Sequence, residues 1–147
     1  MTICPGYWAW ILQSHGQGMV ASIETVGQEL LRGNDELAAW TQTHKDIFWT
    51  VSDEATQEAF TKVATHVVNS ATQMKAGAVE DFLSGADPWL IAKAMTMPGS
   101  VLVTHEQLNP NAKRKFIIPN VCQQFGVKWV DTFHVLNATG ARFGLAV

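Results

Sequence analysis

Residues Gly85–Glu106, GADPWLIAKAMTMPGSVLVTHE, decide how the rest of the chain is read. Asp87 is followed by proline and by Leu90, Ile91, Ala94 and Met95, apolar positions that return at helical spacing. Pro98-Gly99 breaks that helix. Val101-Leu102-Val103 then reads as a short buried strand, with Thr104-His105-Glu106 where the strand ends. In open α/β sheets, ligands gather beyond the carboxyl ends of the strands. Asp87 and Glu106 are therefore expected to face each other across a small acidic site.

Length and composition narrow the setting. A chain of 147 residues is long enough to bury its own core, and 47% apolar with 16% charged residues is a globular balance. No apolar run is long enough to cross a bilayer as a helix. The start, MTICPGYWAW, has no basic region ahead of an apolar one and does not read as a signal peptide. Cys4 and Cys122 form neither a disulfide framework nor a zinc pattern, so a reduced, cytoplasmic location is expected. A net charge of −3 argues against a surface coated for non-specific nucleic-acid binding. The basic residues are nevertheless clustered: Lys113, Arg114 and Lys115 are consecutive, and Lys128 follows. One local basic patch on an acidic chain fits contact with phosphates at one place.

In chain order, Pro5 suits the first turn of a helix that Gly16 and Gly18 end. Met19-Val20-Ala21 is a candidate strand, and Ser22 an N-cap for a helix with Ile23, Val26 and Leu30 on one face. Asn34 or Asp35 caps the next helix. Ile47 to Val51 is apolar and β-prone. Ser52 is expected to cap the longest helix, with Asp53 and Glu54 in its first turn and a stripe of Phe60, Val63, Val67, Ala71 and Met74. After the polar loop QLNPNAKRK, Phe116-Ile117-Ile118 reads as a strand and Pro119 as a helix start. Val127 to Val130 is extended, and Asp131 or Thr132 caps a last helix. This alternation predicts an α/β sheet of mostly parallel strands flanked by helices, in one domain spanning 1–147.

Each candidate residue also has a plain structural reading. Asp87 before Pro88 looks like an N-cap, and by local signature alone that is the stronger reading. Glu106 alone is an ordinary loop acid, and Glu29 lies at the rim of an apolar stripe. The basic run, taken alone, reads more strongly as a solvated loop. Together, three carboxylates at helix and strand ends suit Mg²⁺ or Mn²⁺, ions that activate water and steady charge on a phosphodiester. Lys113 to Lys115 would then contact substrate phosphates. The five histidines lack HxH or HExxH spacing, and Cys122 sits among apolar residues as a core thiol.

DPWLIAKA, from Asp87 to Ala94, resembles the Asp-x-x-Ile-Ala-x-x-Ala helix start of PIN-domain ribonucleases, the fold of many bacterial toxins. VLVTHE is similar to their strand followed by Thr-x-acid, with glutamate where aspartate is usual, and VGQELLRG to the helix that supplies their glutamate. Nearly the whole chain resembles a PIN-like bacterial family with CPGFWDWL-, ELLKGNDELADW-, VVTHE-, KIPDVC- and FGARF-like segments. They appear here, in order, as CPGYWAWI, ELLRGNDELAAW, LVTHE, IIPNVC and TGARF.

The resemblance implies a PIN-like domain with Glu29, Asp87 and Glu106 as catalytic and metal-holding carboxylates and Mg²⁺ or Mn²⁺ as cofactor. It implies Thr104, Lys113, Arg114 and Lys115 as the substrate-binding residues. The expected activity is endoribonuclease action on RNA, as the toxin half of a toxin–antitoxin pair, with an antitoxin and a second copy as protein partners and no membrane. The chain also departs from the pattern. In that family a strand ending in Leu-Asp-Thr/Ser-Asn precedes the CPGFW segment, whereas here Met1-Thr2-Ile3 leads directly to Cys4. A sheet without its central first strand, and a site without that strand's aspartate, are therefore expected. Asn120 likewise stands where an aspartate is common. A catalytically inactive PIN-like RNA- or protein-binding domain is the alternative, and an unrelated doubly wound phosphate-binding domain a third.

Overall fold

The computed structural model describes residues 4–141, which alternate helices with short parallel strands in an α/β arrangement. The chain divides into two compact units, one of Met1–Thr50 with Leu136–Val147 and the other of Val51–Val135.

The first unit opens with α1 (Pro5–Gly16), whose proline occupies the first turn behind Cys4 at φ 49°. Strand β1 (Ser22–Ile23) leads into α2 (Glu24–Leu31), then α3 (Glu36–Thr43) and β2 (Phe48–Trp49). The strands are parallel, Ser22 opposite Phe48 and Ile23 opposite Trp49. Helix α2 lies so close to β2 that a Cβ on Gly27 would stand 3.1 Å from the Phe48 ring, which would have to give by a few tenths of an ångström to admit a larger residue. Asp35 caps α3 by accepting from the Ala38 amide at 2.9 Å. Trp8 of α1 meets Trp40 of α3 with ring centres 5.0 Å apart.

The second unit is built on α4 (Glu54–Asn69) packed against α6 (Asp87–Met95), with α5 (Ala78–Ser84) between them in sequence. Val63 and Val67 of α4 and Ile91 of α6 have no exposed surface. Burial of such side chains contributes about 1.5–3 kcal/mol each. Phe60 and Trp89 stack across the two helices at 3.9 Å, their planes 16° apart. Strand β3 (Val101–Val103) runs parallel to β4 (Lys128–Val130), and α7 (Ile118–Phe125) forms the crossover. Leu102 faces inward with Ile118, Val121, Cys122 and Val127, closing the core. Gly126, at φ 69°, ends α7 in the left-handed conformation that glycine allows. The last helix, α8 (Thr132–Ala138), follows β4 directly.

Several local expectations shift. The strands pair two and two instead of forming one sheet. Ser22 is a strand residue, not a cap: it stands opposite Phe48 in the parallel register, and Ile23 occupies the N-cap position of α2. The cap of α4 is Asp53, not Ser52: its carboxylate reaches the Thr56 amide at 3.1 Å. That helix stops at Asn69, with Ala71–Gln73 a 3₁₀ turn, so Ala71 and Met74 leave the stripe. Phe116-Ile117-Ile118 is no strand, since Ile118 already begins α7 with Pro119 inside its first turn.

Asp53 also binds Lys93 of α6 at 3.1 Å, tying the start of one helix to the other. The Thr56 hydroxyl, first, and then Lys93 hold its carboxyl down to about 2, from an ordinary value of 3.8. A lowered acid stabilises the fold above its unfolded value, and that contribution is lost as pH falls through the folded value. Asp53→Ala should therefore unfold at a lower temperature than the parent near neutral pH, and the gap should close between pH 3.8 and about 2. Thermal melts across that range check this, with Asp53→Asn, which keeps a cap, falling in between. Burial pushes the Cys122 thiol up to about 12, whereas Cys4 is exposed. An alkylating reagent near pH 8 should modify Cys4 and spare Cys122 until denaturant is added, as read by mass spectrometry.

Candidate site at the strand ends

Because β3 and β4 are parallel, their carboxyl ends lie side by side, and the polar residues that follow them meet. Thr104 extends the pairing by donating its amide to the Val130 carbonyl at 2.9 Å. Its hydroxyl accepts from the Glu106 amide at 3.1 Å, which turns the chain and sets the direction of Glu106. The His105 Nε2 lies 3.2 Å from the Thr132 hydroxyl. Asp131 accepts from the His134 amide at 2.8 Å and so fixes the first turn of α8. The Phe133 ring stands 6.1 Å from that of His105.

The loop after Glu106 is held in place. Asn120 accepts from the Asn109 amide at 3.0 Å and donates its own amide to the Asn109 carbonyl at 2.8 Å. An ionised aspartate there would accept but have nothing to donate, so this position is a two-point clamp made for asparagine. The Lys113 carbonyl accepts from the Lys75 amide at 2.7 Å. Lys113, Arg114 and Lys115 are exposed, and the Lys115 ammonium reaches the Glu106 carboxylate at 3.7 Å. An exposed pair of this kind adds little stability. It does set a cation beside the strand end.

Asp87 is the first residue of α6, with Ala86 as the N-cap position, so the expected capping role falls away. Its carboxylate sits instead in the first turn, where the helix dipole favours negative charge. Asp87 and Glu106 belong to the second unit, while Glu29 is exposed on α2 of the first. Among the described residues, no three histidine, cysteine, aspartate or glutamate side chains group as a metal-ion site. A shallow hollow on α4, lined by Phe60, Thr61, Ala64, Thr65, Val68 and Asn69, contains none of the expected site residues. Among the described residues, no helix is long and apolar enough to cross a membrane.

Thr132, Phe133 and the clamp at Asn120 were not legible as site residues. The signal for the first two was the pairing itself: aligning VLV with KWV as parallel neighbours brings THE and DTF together.

Residues 1–143 match the family model described as Domain of unknown function (DUF4411). No curated protein and no solved structure matches the chain.

Proposed function

The chain belongs to the DUF4411 family, and within that family we propose that it is a PIN-like protein that binds RNA at the carboxyl ends of β3 and β4. One observation carries the reading: Thr104, His105 and Glu106 are gathered beside Asp131 and Thr132, with the Lys115 ammonium 3.7 Å from Glu106. The family match names no activity. RNA as the ligand is supported by the likeness of VGQELLRG, DPWLIAKA and VLVTHE to PIN-domain ribonucleases. Lys113, Arg114 and Lys115 supply exposed positive charge for phosphates. The Thr104 hydroxyl, which accepts from Glu106, still has a proton to donate to a phosphate oxygen.

The catalytic form of this reading is a cytoplasmic endoribonuclease dependent on Mg²⁺ or Mn²⁺, the toxin of a toxin–antitoxin pair, acting with an antitoxin and a second copy. Asp87 and Glu106 of the second unit are its carboxylates, and the resemblance is its support; Glu29, which the same resemblance implies, belongs to the first unit. A divalent ion supplies an activated water and charge neutralisation in such reactions. Binding without cleavage is the second reading. It is favoured by the pairing of Glu106 with Lys115, which gives that carboxylate a cationic side chain as partner.

Affinity for a single-stranded oligoribonucleotide should fall linearly on a log–log plot against salt. Replacing Lys113, Arg114 and Lys115 by alanine should flatten the slope by about 2, the sum of three phosphate contacts at roughly 0.7 each. An unchanged slope would exclude the run as the phosphate contact. Incubation of labelled RNA with Mn²⁺ separates the two forms. Cleavage that is lost in Asp87→Asn identifies the nuclease, binding without cleavage identifies the second reading, and equal cleavage by both chains removes Asp87 from the site.

A further inference from the structure

His66, near the end of α4, lies against the crossover helix α7. Its half-buried ring meets that of Phe125 edge-on, with centres 5.7 Å apart and planes 87° apart. The His66 carbonyl accepts from the Ser70 hydroxyl at 2.8 Å, but among the described residues its ring has no hydrogen-bonding or ionic partner. The surroundings supply nothing to balance an imidazolium. On α7 the one titratable group is Cys122, which burial pushes up to about 12 and so keeps neutral. On α4 the neighbour one turn earlier is Lys62, of the same sign as a protonated histidine, with exposed Glu58 a further turn back. Of the other helices packed on α4, α5 carries Glu80 and Asp81, both exposed, and α6 carries Asp87 in its first turn and Lys93, bound to Asp53. None of these moves His66: burial alone holds it below its ordinary 6.5. An aromatic ring attracts a cation, which works in the opposite sense but weakly where water still reaches the pair.

The place of this contact gives it a reach beyond two rings. Phe125 is the last residue of α7 and packs against the core, and Gly126 and Val127 lead from it straight into β4. We propose that the His66–Phe125 contact is an acid-sensitive latch: neutral His66 seats the end of α7, and protonation releases it and loosens β4 from β3. A histidine whose folded value is lowered stabilises the fold fully above its unfolded value. That contribution is lost as pH falls from 6.5 through the folded value. The latch acts on the strand pairing whatever the strand ends bind, so it stands apart from the RNA-binding reading above.

The test is NMR of the full chain between neutral pH and the onset of Asp53 titration near 3.8. The His66 ring should titrate below 6.5. Amide protection at Val127 to Val130, corrected for the pH dependence of intrinsic exchange, should fall through the same midpoint. The loss should be about tenfold for every pH unit that separates that midpoint from the ordinary value. His66→Phe keeps a ring that cannot charge, and its protection should stay level over the range. His66→Gln should be equally level but less protected throughout, because it lacks the ring. A His66 midpoint at or above 6.5 in the parent overturns the latch by itself, with no variant needed. A fall in protection shared by the parent and the uncharged variants assigns it to another group and overturns the latch too. A low midpoint with level protection in the parent overturns the coupling to β4.

Discussion

The parallel register of Val101–Val103 against Lys128–Val130 is the constraint on which the candidate site depends. Parallel neighbours cannot be joined by a tight turn, so the chain must leave β3, cross over and return to the same end before β4 begins. The crossover is secured by α7, which buries Ile118, Val121 and Cys122 in the core. Once that helix is seated, the residues after each strand have no choice of neighbour. Thr104 bonds Val130, His105 meets Thr132, and Phe133 comes beside His105.

That pairing needs a firm backing, and α4 and α6 provide it. Val63, Val67 and Ile91 are removed from water, and Leu102 of β3 packs in the same cluster. The polar fastening is at the edge of this contact, where Asp53 serves at once as cap for α4 and as partner for Lys93. The opening stretch thus has a double function. Its helix, α6, supplies the floor of the core, and its strand, β3, carries the polar end at which the candidate site lies.

Charge at the site is arranged by backbone geometry more than by burial. Glu106 is placed by the hydrogen bond that its backbone amide donates to the Thr104 hydroxyl, and the basic loop is held by the Asn120 clamp and by the Lys75 amide, which donates to the Lys113 carbonyl. Both halves of the Asn120 amide are used on Asn109. Its role here is to shape the loop that carries the cations. Asp87 shows the reverse case: a residue with a cap's signature lies inside the helix, because the chain turns one residue earlier at Ala86.

The sequence by itself determined the α/β alternation, the helix of residues 87–95, the strand 101–103 and the core role of Cys122. These follow from local terms: a 3.6-residue apolar period, proline and glycine punctuation, and a thiol among apolar neighbours. It also placed Glu106 at a strand end and marked Lys113–Lys115 as a basic patch. Caps were legible only to within a residue, since Ser52 and Asp53 both satisfy the local pattern and only contact with Thr56 and Lys93 selects the second. The tertiary structure decided which strands pair, that Glu29 lies in a different unit from Asp87 and Glu106, and that Thr132 and Phe133 join the site. Pairing between residues 101–103 and 128–130 depends on a crossover closing through buried Ile118 and Cys122. That free energy is shared across the core and is written in no single segment.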